Sequence, residues 1–117
     1  MAFRFEELEI WKLAINYAKR CYDVTNHFPK HENFALADQL RRAALSISNN
    51  IAEGSNGSNS NFQKYINIAI GSALETVNIL HFATEVGYIN YDLKQELYEE
   101  VEKLIRKMRS FIKSLGD

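Results

Sequence analysis

The 117-residue chain contains one cysteine, one proline and only five glycines. A single cysteine excludes an internal disulfide, and Cys21 lies at an apolar position of a helical pattern, which fits a reducing cytoplasm. With so little proline and glycine, the long periodic segments have few breaks, and we find no strand pattern and no internal repeat. The sequence therefore predicts one all-α domain over residues 1–117.

The chain also lacks an excess of charge and a long apolar run. Its 14 lysines and arginines against 15 aspartates and glutamates give a net charge of -1, so any nucleic-acid binding needs a local basic patch, or a patch multiplied by assembly. The first residues carry three acids, unlike a signal peptide. No window approaches the roughly 18 apolar residues of a membrane span. We expect a cytoplasmic protein with no membrane partner.

Apolar residues recur at steps of three and four in four blocks, which predicts helices at about 6–26, 33–53, 60–86 and 91–115. Pro29 separates the first two blocks. The polar run from 54 to 61 predicts a flexible connection, followed by a capping box of Ser60 and Gln63. Gly87 is expected to close the third helix. Short connections favour antiparallel neighbours, so we expect an antiparallel up-down four-helix bundle.

The second helix carries a file of polar side chains beside its apolar stripe, and little of its circumference is an ordinary solvent-exposed charged face. A helix with so many contacting sides is either the centre of a bundle or shared with another copy of the chain. The first helix has two apolar stripes, whereas the fourth has one. We therefore expect the first three helices to self-associate and the fourth to lie outside. The polar file comprises Gln39, Arg42, Ser46, Asn49, Asn50 and Glu53.

These polar residues admit two interpretations. Asn49, Asn50 and Glu53 could form a ligand site at a helix end, but we favour hydrogen bonds within and between helices. Gly54 is expected to be the left-handed terminator of the second helix. Glu75 is expected to accept a hydrogen bond from the polar file, and Gly71 is expected to allow a close helix crossing beside Ser72.

Basic residues suggest a nucleic-acid surface. Arg106, Arg109 and Lys113 fall on one side of the fourth helix and could contact phosphates. We favour a solvated face instead, because acidic residues in the first half of the helix and basic residues near its end complement the helix macrodipole. Arg41 and Arg42 point to different sides of the second helix. Arg42 could meet phosphate, but we favour an ion pair with Asp38 or Glu53, because a buried charge needs a partner. For Arg41 the phosphate and structural interpretations both stay open.

The usual reaction centres are missing from the sequence. No Glu-x-x-His pair supports a di-iron bundle, since Glu75 is followed three residues later by Asn78. His27 and His31 straddle Pro29 and are unlike a metal pair on one helix. An apolar neighbourhood should keep Cys21 inert. We expect no catalytic residue, no metal and no cofactor, and thus no enzyme.

Two motifs resemble a known family. The segment QLRRAALSISNNIAEGS, residues 39–55, precedes a helix containing GSALET, residues 71–76. Together with Phe28, Pro29 and Glu32, they resemble the small bacterial four helix bundle proteins named after open reading frames in intervening sequences of 23S rRNA genes. One departure is Ser48, where that family often has proline, so a kink there is in doubt.

The resemblance implies an antiparallel four-helix bundle that assembles as a ring, a homopentamer, without enzymatic activity. The family is similar to the accessory protein of diversity-generating retroelements, which works with a reverse transcriptase and RNA. Two hypotheses follow: a ring that binds or scaffolds RNA or DNA, and a scaffold that presents several copies of a partner protein. A catalytic or metal-binding bundle ranks last.

Overall fold

The computed structural model describes residues 2–116, and in that span it contains four α-helices and no strand. The prediction of an all-α chain with four helices is confirmed. The largest differences from the expected bounds are three residues, at the starts of the first two helices. The helices are α1 (Glu9–Val24), α2 (Leu36–Gly54), α3 (Asn59–Glu85) and α4 (Tyr91–Ser114), with short 3-10 turns at Arg4–Glu7, Thr25–His27 and Lys30–Glu32.

The helix ends explain where the segments break. Ser58 caps α3 by accepting a hydrogen bond from the Asn61 amide at 3.2 Å, so the expected capping box at Ser60 is wrong. Asn90 caps α4 through the Leu93 amide at 2.8 Å. Gly87 follows α3 with φ of 83°, and this left-handed residue ends the helix as expected.

The connection between α2 and α3 is shorter than the predicted flexible run. Only residues 55–58 lie between the two helices. Ser55 is buried, and its hydroxyl donates to the Ala52 carbonyl at 2.7 Å. The Asn56 and Gly57 amides donate to the Glu53 and Gly54 carbonyls at 3.3 and 3.2 Å, so the connection continues from the end of α2 as a hydrogen-bonded turn.

The core lies between the four helices, and each helix contributes large apolar side chains to it. A fully buried Leu, Ile or Phe side chain stabilises the fold by about 1.5–3 kcal/mol relative to an exposed one. The largest fully buried apolar side chains are Leu40, Ile47, Ile51, Phe62, Ile66, Leu80, Leu97, Val101, Leu104 and Met108.

Contacts between the helices define their neighbours. α1 packs beside α2 and α4, and α3 packs beside the same two helices. Glu9 near the start of α1 pairs with Lys107 near the end of α4 at 3.2 Å, whereas Arg20 near the end of α1 pairs with Glu96 at 3.0 Å. The helices therefore follow the order α1, α2, α3, α4 around a body of 43 × 23 × 21 Å.

Two glycine predictions are wrong. Gly54 is the last residue of α2 and does not have a positive φ. It is needed for close approach instead, because a Cβ there would lie 2.6 Å from the Tyr65 Cβ and 2.9 Å from Phe62 Cδ1 on α3. Gly71, where we expected the close crossing, is exposed, and a Cβ there would have no neighbour within 4 Å.

The third helix is unusually apolar. By length and composition alone, α3 could cross a membrane, which differs from the expectation that no segment approaches a span. Its Phe62, Ala69 and Leu80 are nevertheless buried against the other helices. A core helix of a globular bundle meets the same length and composition criteria, so this helix is weak evidence for a membrane location.

Candidate nucleic-acid and self-association surfaces

The three basic residues Arg106, Arg109 and Lys113, called the basic row below, lie on the outer side of α4. All three are exposed, and within residues 2–116 none of their side chains forms an ion pair or hydrogen bond. The helical angle places them opposite the buried residues Leu104 and Met108. An open depression of about 560 Å³ on this side is lined by Lys103, Arg106, Lys107, Arg109 and Ser110. The structure thus brings this predicted group together and leaves its charges free.

The helix macrodipole accounts for only part of this charge. Asp92 lies in the first turn of α4 and Lys113 in the last, as the macrodipole favours. That effect falls off within one turn of the helix end, and Arg106 lies about two turns before Ser114. On the side of α4 that faces α1, Arg20 binds both Glu96 and Glu100 at 3.0 and 3.2 Å, and Glu9 binds Lys107 at 3.2 Å. Arg106 and Arg109 therefore have no structural partner that explains them.

Arg41 and Arg42 lie away from the basic row, at the other end of the bundle. Arg41 donates to Thr25 Oγ1 at 3.2 Å and to the Asn33 carbonyl at 2.7 Å, so it fastens the connection between α1 and α2. Arg42 is exposed and pairs with Asp38 at 2.8 Å, one of the two partners that the sequence suggested. This geometry gives Arg41 a structural role and leaves Arg42 at the surface of α2.

The polar file on α2 divides into a bonded part and a free part. Ser46 and Ser72 share a hydrogen bond of 2.9 Å between α2 and α3, and Asn50 donates to the Ser46 carbonyl at 2.8 Å. Of Asn49, Asn50 and Glu53, for which we expected such hydrogen bonds, only Asn50 makes one with its side chain in the described residues. In the part of the chain that the structure describes, the exposed side chains of Gln39, Asn49 and Glu53 have no partner.

Glu75 does not accept a hydrogen bond from the polar file. It is exposed on α3, with no side-chain partner between residues 2 and 116, so the expectation that it accepts a hydrogen bond from α2 is wrong. Ser72 faces α2 in its place. Because three residues turn a helix by about 300°, Glu75 points about 60° away from Ser72, toward solvent.

A buried polar pair joins α1 to α3. The Tyr17 hydroxyl lies 2.8 Å from Thr76 Oγ1, and the Thr76 hydroxyl is also 2.6 Å from the Ala73 carbonyl. Burial raises the pKa of Tyr17 far above its ordinary value, and burial raises the pKa of the neighbouring Cys21 thiol to about 12. Both groups stay neutral near pH 7, which agrees with the expectation of an inert thiol.

A second pair missed by the sequence reasoning closes the end of the bundle. The Tyr88 hydroxyl donates to Glu32 Oε2 at 2.7 Å, while Glu32 Oε1 accepts from the Leu36 amide at the start of α2. The hydrogen bond from Tyr88, followed by that from Leu36, lowers the pKa of Glu32, and the same contact raises the pKa of Tyr88. The only indication of this contact in the local sequence was Glu32, an acidic residue four positions before Leu36, the first residue of α2.

The described residues contain no group of three or more His, Cys, Asp or Glu side chains that could hold a metal ion. His31 approaches Glu32 at 3.8 Å, but no further ligand joins them.

Comparison with known proteins gives a family and a fold. The model of the family described as 23S rRNA-intervening sequence protein matches residues 6–110. A solved structure of a protein with unknown function, from the S23 ribosomal protein family of Bacteroides thetaiotaomicron, superimposes with a TM-score of 0.78 at 23% sequence identity. The alignment covers 89% of this chain and 98% of that one. No curated protein matches the chain.

Proposed function

Because the chain belongs to the 23S rRNA-intervening sequence protein family, we propose that it is a non-enzymatic protein that forms a ring of several copies and binds RNA in the cytoplasm. The observation that carries this proposal is the basic row, whose three side chains are exposed and unpaired within residues 2–116. The family name connects these proteins with ribosomal RNA genes, which makes RNA the first nucleic acid to test.

The proposed protomer is an antiparallel up-down four-helix bundle. Support comes from the order of contacts: α1 meets α4 through Glu9 with Lys107 and Arg20 with Glu96, so residue numbers rise on one helix as they fall on the other. α2 meets α3 in the same way, through Ser46 with Ser72 and Gly54 with Phe62. In this arrangement the basic row faces away from the core.

The basic row suits phosphate recognition without base reading. Arg106 and Lys113 are seven residues apart, so the row spans about 10 Å along α4. Arginine offers a planar fork of donors to phosphate, and lysine a mobile point charge. Such contacts fix the backbone of a nucleic acid but carry no sequence information. We therefore expect strongly salt-dependent binding of structured RNA, with weak sequence preference.

Assembly compensates for the neutral net charge. A single row offers three contacts, which gives weak binding on a chain of net charge -1. A ring repeats the row in every subunit, so one RNA can engage several rows at a high effective concentration. The proposed assembly is a pentamer, and this subunit number comes from the family resemblance alone.

The experiment that tests the proposal measures anisotropy of a fluorescein-labelled RNA hairpin at low ionic strength. Reversing the row in R106E/R109E/K113E should raise Kd at least about tenfold and flatten its salt dependence. The control K12E/K30E/K64E changes net charge equally at three exposed residues on other elements. Equal losses in both variants, or no salt-dependent RNA binding by the wild-type protein, would refute the proposal.

A second candidate function is a scaffold for a partner protein. Phe34, between α1 and α2, has 91% of its surface exposed, and large exposed aromatic residues are common anchors of protein interfaces. Affinity purification from the native host should then recover one partner protein in a constant ratio to this chain, and the Phe34→Ser variant should no longer recover that partner. Recovery of nucleic acid with no stoichiometric protein would count against the scaffold.

A further inference from the structure

Two apolar surfaces lie on neighbouring faces of the bundle. The first, called the groove below, is a depression of about 350 Å³ between α1 and α2, lined by Ile15, Ala18, Lys19, Tyr22, Asp23 and Leu45. Tyr22 and Leu45 expose 43% and 41% of their surfaces there. The second, called the ridge below, consists of Ile68, Glu75 and Phe82 on α3, with Ile68 and Phe82 exposed by 46% and 52%. In the groove the apolar side chains adjoin one another and form one patch, whereas on the ridge Ile68 and Phe82 lie about 21 Å apart along α3, on either side of Glu75.

The groove and the ridge share α2 as their common border. On α3, Ile68 and Phe82 lie within about 80° of Ser72, the residue that bonds to α2, so the ridge belongs to the face formed by α2 and α3. The groove belongs to the face formed by α1 and α2. Adjacent faces of a four-helix bundle are roughly perpendicular. A contact between these two faces is therefore heterologous, the kind that closes into a ring when the angle allows.

Charge complementarity connects the two surfaces. Lys19 in the groove and Glu75 on the ridge are exposed, and neither has a partner in the described span 2–116. The bond between Tyr17 and Thr76 fixes the relative height of α1 and α3, so Lys19 and Glu75 lie within about one helical turn along the bundle. Rotation about an axis parallel to the bundle preserves that height. It would therefore bring Lys19 of one copy to Glu75 of the next.

We propose that the ridge of one copy docks into the groove of the next copy, with Lys19 pairing with Glu75 across the contact. This inference rests on the ring-forming part of the proposed function and specifies its interface. Asp23 lies one turn beyond Lys19, level with Phe82, so it faces an aromatic ring and stays clear of Glu75. Contacting faces that meet at about 90° close after about four copies, and faces that meet at about 72° close after about five.

The same geometry assigns the remaining surfaces of each subunit. α2 forms the corner between the two contacting faces, so its outermost side chains, Arg42, Asn49 and Glu53, line the interior of the ring. α4 lies diagonally opposite α2, since α1 and α3 separate the two. The basic row is therefore on the outer surface of the ring, where an RNA can pass from subunit to subunit.

Charge reversal tests this contact. Sedimentation velocity over a range of concentrations should show that Lys19→Glu and Glu75→Lys each shift assembly to at least about tenfold higher concentration, because like charges then face each other. The double variant K19E/E75K restores an opposite pair and should return assembly to within about twofold of wild type. The control K30E/E99K reverses exposed charges away from both surfaces and should change nothing. Circular dichroism verifies that each variant is folded.

The outcomes separate this inference from the proposed function. If the oligomer forms and neither single reversal moves it, the interface lies elsewhere, while the ring itself stands. If the wild-type chain is a monomer at every concentration, the ring and this interface are both refuted. If it is a monomer and the reversals instead abolish binding of the RNA hairpin, the groove holds RNA and the inference is overturned.

Discussion

Replacing Gly54 with alanine tests whether α2 and α3 depend on close backbone approach. The added Cβ would lie 2.6 Å from the Tyr65 Cβ and 2.9 Å from Phe62 Cδ1. Real Cβ atoms do not approach so closely, and the Tyr65 Cβ is fixed to the backbone of α3. The end of α2 must therefore move away from α3, or the turn at residues 55–58 must open.

The expected change in the free energy of unfolding follows from two opposing effects. Overpacking a well-packed site costs about 1–3 kcal/mol, and this contact falls at the upper end because no flexible side-chain tip can give way. Alanine recovers up to about 1 kcal/mol through its higher helix propensity. We expect Gly54→Ala to lower the free energy of unfolding by about 2 kcal/mol, which lowers Tm by about 8 °C in a domain of this size.

Gly71→Ala is the matched control. Gly71 is also helical, but a Cβ there has no neighbour within 4 Å, so alanine should stabilise the protein by about 0.5–1 kcal/mol. Urea denaturation at one fixed protein concentration, followed by circular dichroism, measures both changes. If Gly54→Ala is as stable as Gly71→Ala, the close approach does not exist and the packing of α2 on α3 is wrong.

Three further predictions concern the polar pairs. Thr76→Val removes the partner of the buried Tyr17 hydroxyl and should lower stability by about 1–3 kcal/mol in urea titrations; an unchanged midpoint would show that the phenol finds another partner. Burial raises the pKa of Cys21 from 9.0 to about 12, so the folded thiol should resist iodoacetamide at pH 8 and react only after unfolding. Because the pKa of Cys21 is higher in the folded state than in the unfolded state, the contribution of the neutral thiol to the free energy of unfolding is complete below pH 9 and is lost as pH rises toward 12. A urea midpoint that stays constant between pH 9 and 12 would contradict the raised pKa. The pKa of Glu32 is lowered in the folded protein, so its contribution is present above the ordinary value of 4.5 and is lost as pH falls below it. Tyr88→Phe removes the main cause, so the variant should lose less stability on acidification than wild type, and an identical acid profile would exclude the contact.

The periodicity of apolar residues was sufficient to predict four helices, because a stripe at steps of three and four can be buried only by a helix. The starts of helices were harder. The segment before α3 contains Ser55, Ser58 and Ser60, each followed by asparagine or glycine within two residues. Local chemistry fits several of them as caps, and in the structure Ser58 is the one that accepts the Asn61 amide.

Tertiary contacts account for the other places where the structure differs from the sequence predictions. α3 is apolar on most of its circumference, including the exposed Ile68, Leu74 and Phe82, so the sequence could not determine which side is buried. That uncertainty misplaced both Glu75 and Gly71. Gly54 illustrates the same limit, because a glycine at a helix end fits a left-handed terminator and a close helix contact equally well. The partners of Arg41, Thr25 and Asn33, lie in another segment, which helical periodicity cannot indicate.

The basic row shows what a sequence can contribute to a binding site. Its residues are correctly grouped, because one helix determines their spacing without help from the rest of the fold. Whether the charges are free depends on neighbouring helices. α1 pairs with Lys107 and with Glu96 and Glu100 but does not reach Arg106 or Arg109.

The central claim is that copies of this chain assemble side by side and present the basic row on the outside. The most direct test is the mass of the purified protein in solution, measured by sedimentation equilibrium with and without an RNA hairpin. We predict one discrete species with the mass of the proposed pentamer, which gains the mass of the RNA at low salt and loses it at high salt. A well-folded monomer at the highest concentration reached, with its mass unchanged by RNA, would contradict the account.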